Sequence, residues 1–275
     1  TWDWGLEYKD FSDGFRADLG FVPQVGFREG FAQVGRSYRP KGFFSWVRPE
    51  FFADYLADRD GDLLSQVVGV GVSVSTKYSG SAGITLRTDK VLAGDGVLSR
   101  SRVTFSLAAS PSRFFGSLQL YGSLGEEVDF VGARRGHGGN LGGGATVRPG
   151  NHLELQLTGE VRWLDVKPPE PGGARRLFTA HVERLKATWT FTARSSLRAI
   201  GQYVGAWYAP ELYPDPSAVP ERDGSFSASA LFLYRLNWQS VLFLGYGDSR
   251  ALTDAGGLPP ATRQLFLKLS YAFQG

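Results

Sequence analysis

Cysteine and methionine are both absent from these 275 residues. Without cysteine there is no disulfide framework and no thiolate metal site. Without a methionine at position 1, the chain is expected to be the C-terminal part of a longer precursor, shortened by loss of a signal peptide or of a further domain. No run of about 18 uncharged apolar residues occurs, so no transmembrane helix is available. The longest weakly charged run, Leu63 to Thr76, is broken by Ser, Gln and Gly. The net charge is only +3 and the basic residues are scattered, which leaves no clustered footprint for nucleic acid. Against these absences stand 36 Gly, 20 Phe, 11 Tyr and 7 Trp, too aromatic a mixture for a disordered chain.

Period 2 runs through the whole sequence. Leu265, Leu267, Leu269, Tyr271 and Phe273 alternate with Gln264, Phe266, Lys268, Ser270 and Ala272. Leu153, Leu155, Leu157, Gly159, Val161 and Trp163 alternate with His152, Glu154, Gln156, Thr158, Glu160 and Arg162. In a strand each set occupies one face, whereas a helix would scatter it around the axis. This pattern predicts fourteen strands, near 1–9, 25–38, 43–56, 63–76, 81–89, 98–109, 114–125, 141–148, 152–165, 177–191, 196–208, 225–236, 241–250 and 263–273. A miscounted short segment would make the number twelve or sixteen.

The connections are expected to alternate. Six are tight and rich in turn residues, such as Arg39-Pro40-Lys41-Gly42 and Arg148-Pro149-Gly150-Asn151. Seven are longer and polar, at 10–24, 57–62, 90–97, 126–140, 166–176, 209–224 and 251–262. That count suits an all-β, up-and-down antiparallel transmembrane β-barrel of about 14 strands with both termini periplasmic, a single domain over 1–275. In lipid an unpaired strand edge is costly, so the first strand is expected to pair with the last.

A ring of that size is too wide for side chains to fill, so its inner face must be wet. The candidates to line the lumen are Arg87, Arg100, Arg102, Glu154, Glu160, Arg162, Arg184, Lys186, Arg198, Arg235 and Lys268. The outer face carries two aromatic belts. Trp2, Trp4, Phe43, Phe114, Trp189, Phe191, Tyr271 and Phe273 fall beside the tight turns, and Trp163, Trp207 and Tyr246 toward the long loops. Apolar bands bounded in this way belong in the outer membrane of a Gram-negative cell envelope.

The last segment, Leu265 to Gln274, resembles the closing strand of bacterial outer-membrane barrels, whose terminal aromatic is read by the barrel assembly machinery; here Gln274 and Gly275 follow the aromatic. Three stretches, Phe11 to Phe27 around Asp18-Leu19-Gly20-Phe21-Val22-Pro23, Ser195 to Tyr203, and Val241 to Tyr246 with Asp248-Ser249-Arg250, extend the likeness. In them the chain resembles the C-terminal β-barrel of a family of bacterial outer-membrane proteins that carry an N-terminal domain like carbohydrate-binding module family 9. The resemblance implies location and architecture but no chemistry.

Catalytic and metal signatures are weak. His137, His152 and His181 lie in no metal-ligand spacing, and no G-x-S-x-G elbow occurs. His137 reads as a solvated loop residue in Arg134-Arg135-Gly136-His137-Gly138-Gly139, and the His152/Glu154 and Glu160/Arg162 pairs as lumen ion pairs. The Gly139 to Gly144 run lacks the Lys and helix of a phosphate cradle. Asp58-Arg59-Asp60-Gly61-Asp62 has carboxylates at alternate positions, but Gly69 and Val70 stand where a calcium loop needs its distal Glu, so a tight polar turn is the better reading.

The chain is therefore expected to be no enzyme and to need no cofactor or metal. It reads as a porin-like channel for passive or gated passage of small hydrophilic solutes, with modest anion preference because Arg and Lys outnumber Asp and Glu among the inward candidates. The alternative is a non-conducting anchor or assembly partner for a larger envelope protein or complex. Expected partners are outer-membrane lipids, the barrel assembly machinery during biogenesis, and an envelope protein or the chain's own missing N-terminal domain, with no nucleic acid.

Overall fold

A computed structural model describes residues 1–16, 24–168, 172, 175–253 and 256–272. The chain is all-β. Fourteen strands form one antiparallel sheet in sequence order: β1 (Trp2–Phe11), β2 (Phe27–Arg36), β3 (Phe44–Asp58), β4 (Leu63–Thr76), β5 (Gly80–Ala93), β6 (Gly96–Ala109), β7 (Phe115–Asp129), β8 (Arg134–Val147), β9 (Leu153–Val166), β10 (Arg176–Thr192), β11 (Ser195–Tyr208), β12 (Arg222–Arg235), β13 (Ser240–Ala251) and β14 (Pro260–Tyr271). Each pairs with its sequence neighbour, as an up-and-down meander requires; the expected pairing of β1 with β14 is not among these pairings. Every strand has ten or more residues, enough to cross the hydrocarbon of a bilayer at a tilt. Among the described residues no helix is long and apolar enough to cross a membrane, which says nothing against crossing by strands.

All fourteen predicted strands form, but the alternation of tight and long connections does not hold through the middle of the chain. β5 and β6 are joined by Gly94 and Asp95 alone, with Gly94 at φ 59, where a side chain would be strained. β7 and β8 grow into the segment expected to be the 126–140 loop, leaving residues 130–133 as the connection. Asp129 tightens this turn by accepting from the amides of Val131 (3.1 Å) and Gly132 (3.0 Å) and from Arg134 Nε (2.9 Å). His137 consequently sits in a strand, not in a loop, although it stays exposed. Short Asx-type turns were read as long loops because a polar run between strands looks the same in either state. Asp58 shows the same device. Its Oδ1 accepts from the amides of Asp60, Gly61 and Asp62 at 3.0, 2.8 and 2.8 Å, so the aspartate run caps its own turn.

The chain divides into two compact units. One comprises Thr1–Leu107, Tyr121–Gly139 and Leu164–Arg175; the other comprises Ala108–Leu120, Asn140–Trp163 and Arg176–Gly275. In each, the register sorts side chains cleanly. In the first unit, Leu6, Ala32, Ala53, Val68 and Thr88 form one cross-strand row on the apolar face, and Trp4, Val34, Phe51, Val70 and Leu86 form the next. In the second, Trp189, Leu197, Phe232, Leu244 and Leu267 make a comparable row. Nothing among the described residues covers these rows. Leu265, Leu267 and Leu269 are 74%, 71% and 65% exposed, and Leu6 is 74% exposed. At about 25 cal/mol per Å², a stripe of that size in water would carry a large penalty, so its solvent is hydrocarbon.

Side chains on the opposite face instead fill the space over small residues. Gly245 stands directly across from Phe266, and a Cβ on Gly245 would run into that ring. The ring covers glycine backbone that would otherwise lack a packing partner.

The two faces should respond oppositely to charge. Leu155→Arg or Leu267→Arg should destabilise the protein by about 2–4 kcal/mol at mid-depth in the bilayer, while Thr158→Arg or Ser270→Arg should change it by less than about 1 kcal/mol. Denaturant unfolding from lipid vesicles measures both pairs; equal costs would overturn the assignment of the two faces, and reversed costs would mean that they are exchanged.

Candidate functional site

The charged face gathers much of the polar chemistry of the described residues. In the first unit, β5, β6 and β7 bring three arginines onto two carboxylates. Asp89, buried at 1% exposure, accepts from Arg87 Nε (2.7 Å), Arg100 Nε (3.1 Å) and an Arg102 terminal amino group (2.5 Å). Glu127 accepts from the Nη1 atoms of Arg100 (2.7 Å) and Arg102 (2.9 Å). Five charges thus lock three neighbouring strands, with one positive charge in excess. Arg102 Nε remains buried without a hydrogen-bond partner.

On β1, β2 and β3 the same face is acidic. Lys9 joins Glu7 (3.1 Å) and Glu29 (2.9 Å), and Arg48 joins Asp3 (2.6 Å) and Glu50. Asp54 lies in the register row that holds Glu7 and Phe31. These residues, with Asp89 and Glu127, were not among the candidates drawn from the sequence. Alternation along β1 could have found them, since Asp3, Glu7 and Lys9 occupy odd positions between Trp2, Trp4, Leu6 and Tyr8.

The second unit differs in kind. Arg148 pairs with Glu154 at 2.8 Å, Asn140 donates to Glu160 at 3.1 Å, and Lys186 donates to Gln156 at 3.4 Å. Beyond these, Arg184, Arg198, Arg235 and Lys268 have no ion pair among the described residues. Directly opposite them across the sheet stand Gln202, Leu231, Val241 and Phe243, none a carboxylate. With Lys186 they form a stair of cations over β10 to β14, interleaved with Ile200, Leu231, Leu233 and Phe243.

Above this stair, the connection 209–221 turns toward the charged face. Phe178 and Tyr208 are opposed on that face, and Tyr213 packs edge-on against Tyr208 at 6.3 Å. Arg162 places its guanidinium 5.9 Å from the Phe178 ring, and Leu212 is buried. Two short 3-10 turns, Pro210–Leu212 and Pro216–Ala218, shape the connection. Asp215 caps the second one, and the Ser217 hydroxyl and amide hold its carboxyl below the usual carboxylate range.

The remaining candidates fall as follows. Trp2, Trp4, Trp189, Trp207, Tyr246 and Tyr271 lie on the apolar face of their strands, and Trp163 continues the Leu153, Leu155 and Leu157 alternation of β9; Phe191 follows Trp189 by two positions, and Phe43 and Phe114 sit at tight turns, beside Phe44 and Phe115. Phe273 lies outside the described residues. His152 lies just ahead of β9; its Nδ1 meets the carbonyl of Thr190 in β10 at 2.7 Å, and its ring stacks on Trp189. His181 stacks on Trp207 at 4.8 Å and bonds Glu183 on the apolar face.

No protein-family model matches the chain, and no curated protein matches it. Among solved structures it is similar to the outer membrane channel DcaP of Acinetobacter baumannii, with 11% identity, a TM-score of 0.48, and coverage of 99% of this chain and 97% of that one. The chain's own polarity decides its setting. Fourteen up-and-down strands with an uncovered apolar face, aromatic-edged, and a charged opposite face are the architecture of an outer-membrane β-barrel, and the bacterial outer membrane is where such a chain resides.

The arginine lock yields a stability prediction. Asp89 is covered by guanidinium groups and not by depth of protein, so water can reach the arginines once it is gone. Asp89→Ala should therefore cost about 1–3 kcal/mol, less than the loss of a partner in a dry interior. It should be read as a lower temperature for the shift in heat-modifiable gel migration.

Proposed function

We propose that the chain is a porin-like channel that passes small hydrophilic solutes, with a modest preference for anions. The observation that carries this reading is the stair of Arg184, Lys186, Arg198, Arg235 and Lys268, which faces the lumen with no carboxylate opposite any member. Unpaired cations along a water-filled path lower the barrier for anions and raise it for cations. The carboxylates of β1 to β3 are balanced by Lys9 and Arg48 only in part, which is why the preference is modest and not exclusive. The 209–221 connection turns toward the charged face, where Tyr213 packs on Tyr208. Ion pairs such as Glu154 with Arg148 serve to hold wall residues in place.

Planar-bilayer recording across a KCl gradient tests the proposal. A stable open conductance with a reversal potential favouring Cl⁻ is expected. The triple variant Lys186→Gln, Arg198→Gln, Lys268→Gln should bring the permeability ratio to about unity or below, because the local cation excess sets it. A closed barrel would favour the reading as a non-conducting anchor, and selectivity for K⁺ in the unaltered protein would remove the anion preference.

A further inference from the structure

The apolar face is not apolar to its end. Near the 252–259 connection, opposite the tight turns, β13 and β14 place charge on the side that otherwise meets hydrocarbon. Asp248 lies directly across from Arg263 in the register, on the same face as Tyr246 and Leu265, which oppose each other one row below, and Leu244 and Leu267, which oppose each other below that. Arg250 follows Asp248 by two positions and shares its face. Asp248 is buried, and its two oxygens are each taken by an arginine Nε: Oδ1 by Arg250 at 2.7 Å and Oδ2 by Arg263 at 2.9 Å, with the Tyr246 hydroxyl at 3.3 Å from Oδ2.

The manner of attachment matters. An arginine that spends its Nε on a carboxylate keeps its two terminal amino groups for another acceptor. No partner for those terminal groups is found among the described residues, and the side chains remain 37% (Arg250) and 57% (Arg263) exposed. One buried carboxylate thus holds two guanidinium forks side by side and leaves a net positive charge. The stripe of Leu265, Leu267 and Leu269 runs beneath them toward mid-membrane. A positive double fork above a greasy stripe is complementary to an amphiphile with an anionic head.

We propose that Arg250 and Arg263, braced on Asp248, clamp a phosphate group of a phosphorylated glycolipid in the outer leaflet, whose acyl chains lie along the leucine stripe of β14. Planar guanidinium forks suit phosphate oxygens, and two of them offer bidentate contacts that a single lysine cannot. At the lipid–water boundary these contacts are only partly screened. The inference rests on the outer-membrane placement of the chain and is independent of whether the lumen conducts.

Native mass spectrometry of the full chain, refolded and shown by heat-modifiable migration to be a folded barrel, provides the test. Titration with phosphorylated lipid A should give binding at least about tenfold tighter than titration with the fully dephosphorylated glycolipid, the scale of one or two charge-assisted hydrogen bonds. Arg250→Gln with Arg263→Gln should erase that difference while leaving binding of the dephosphorylated form unchanged. Inorganic phosphate, which lacks acyl chains, should compete only weakly. Equal affinity of the unaltered protein for the two glycolipids would overturn the clamp, and this comparison stands even where the double variant fails to fold. Full displacement by millimolar inorganic phosphate would reassign the forks to a free anion. Failure of the unaltered chain to enter lipid vesicles would instead remove the membrane placement on which the inference depends.

Discussion

The constraint on which the rest depends is the pairing of backbone amides and carbonyls from strand to strand in a sheet that has hydrocarbon on one side. A lipid-facing peptide group cannot borrow a hydrogen bond from water, so spanning segments must be helices or sheet strands with satisfied neighbours. This chain takes the second route. Long antiparallel ladders such as those of β3 with β4 and β10 with β11 satisfy the backbone, and side chains are then free to sort by solvent. The usual economy of a globular protein is reversed: leucine and tryptophan lie on the uncovered face, and arginine and aspartate gather on the opposite one.

The reversal explains how the charged face is organised. A dry interior would make the Asp89–Glu127–arginine group expensive. Beside water, the same five charges act as cross-strand ties over β5, β6 and β7, where the paired faces are otherwise small. The stair over β10 to β14 shows the opposite use of charge. There cations are spaced by Leu231, Leu233 and Phe243 and have no ion pair among the described residues, an arrangement that adds little to stability. Paired and open charge therefore occupy different strands.

Much of the fold was legible in the sequence. Leu153, Leu155 and Leu157 against Glu154, Gln156 and Thr158 state a strand and its two solvents at once, because a period of two has only one geometric meaning. Connections were harder to read. Gly94-Asp95 and the 130–133 turn were hidden in polar stretches, and only the hydrogen bonds of Asp129 separate a four-residue turn from a fifteen-residue loop. The acidic face of β1 to β3 was missed for a related reason. Glu29, Glu50 and Asp54 lie in strands where Phe31 and Phe52 share the charged face, which blurs the alternation. The paired arginines of Asp248 were also beyond it, since positions 248 and 263 become neighbours only through register.

The sequence by itself determined the class: extended strands, their number, their order, and which side of each meets lipid. Those properties follow from the spacing of neighbours along the chain, which the pleat converts directly into direction. Only the tertiary structure decided which charges are neutralised, which are left open, and that the 209–221 connection turns toward the charged face. Those depend on residues far apart in sequence meeting across hydrogen-bonded strands, and a shift of register by one residue would have moved every one of them to the other solvent.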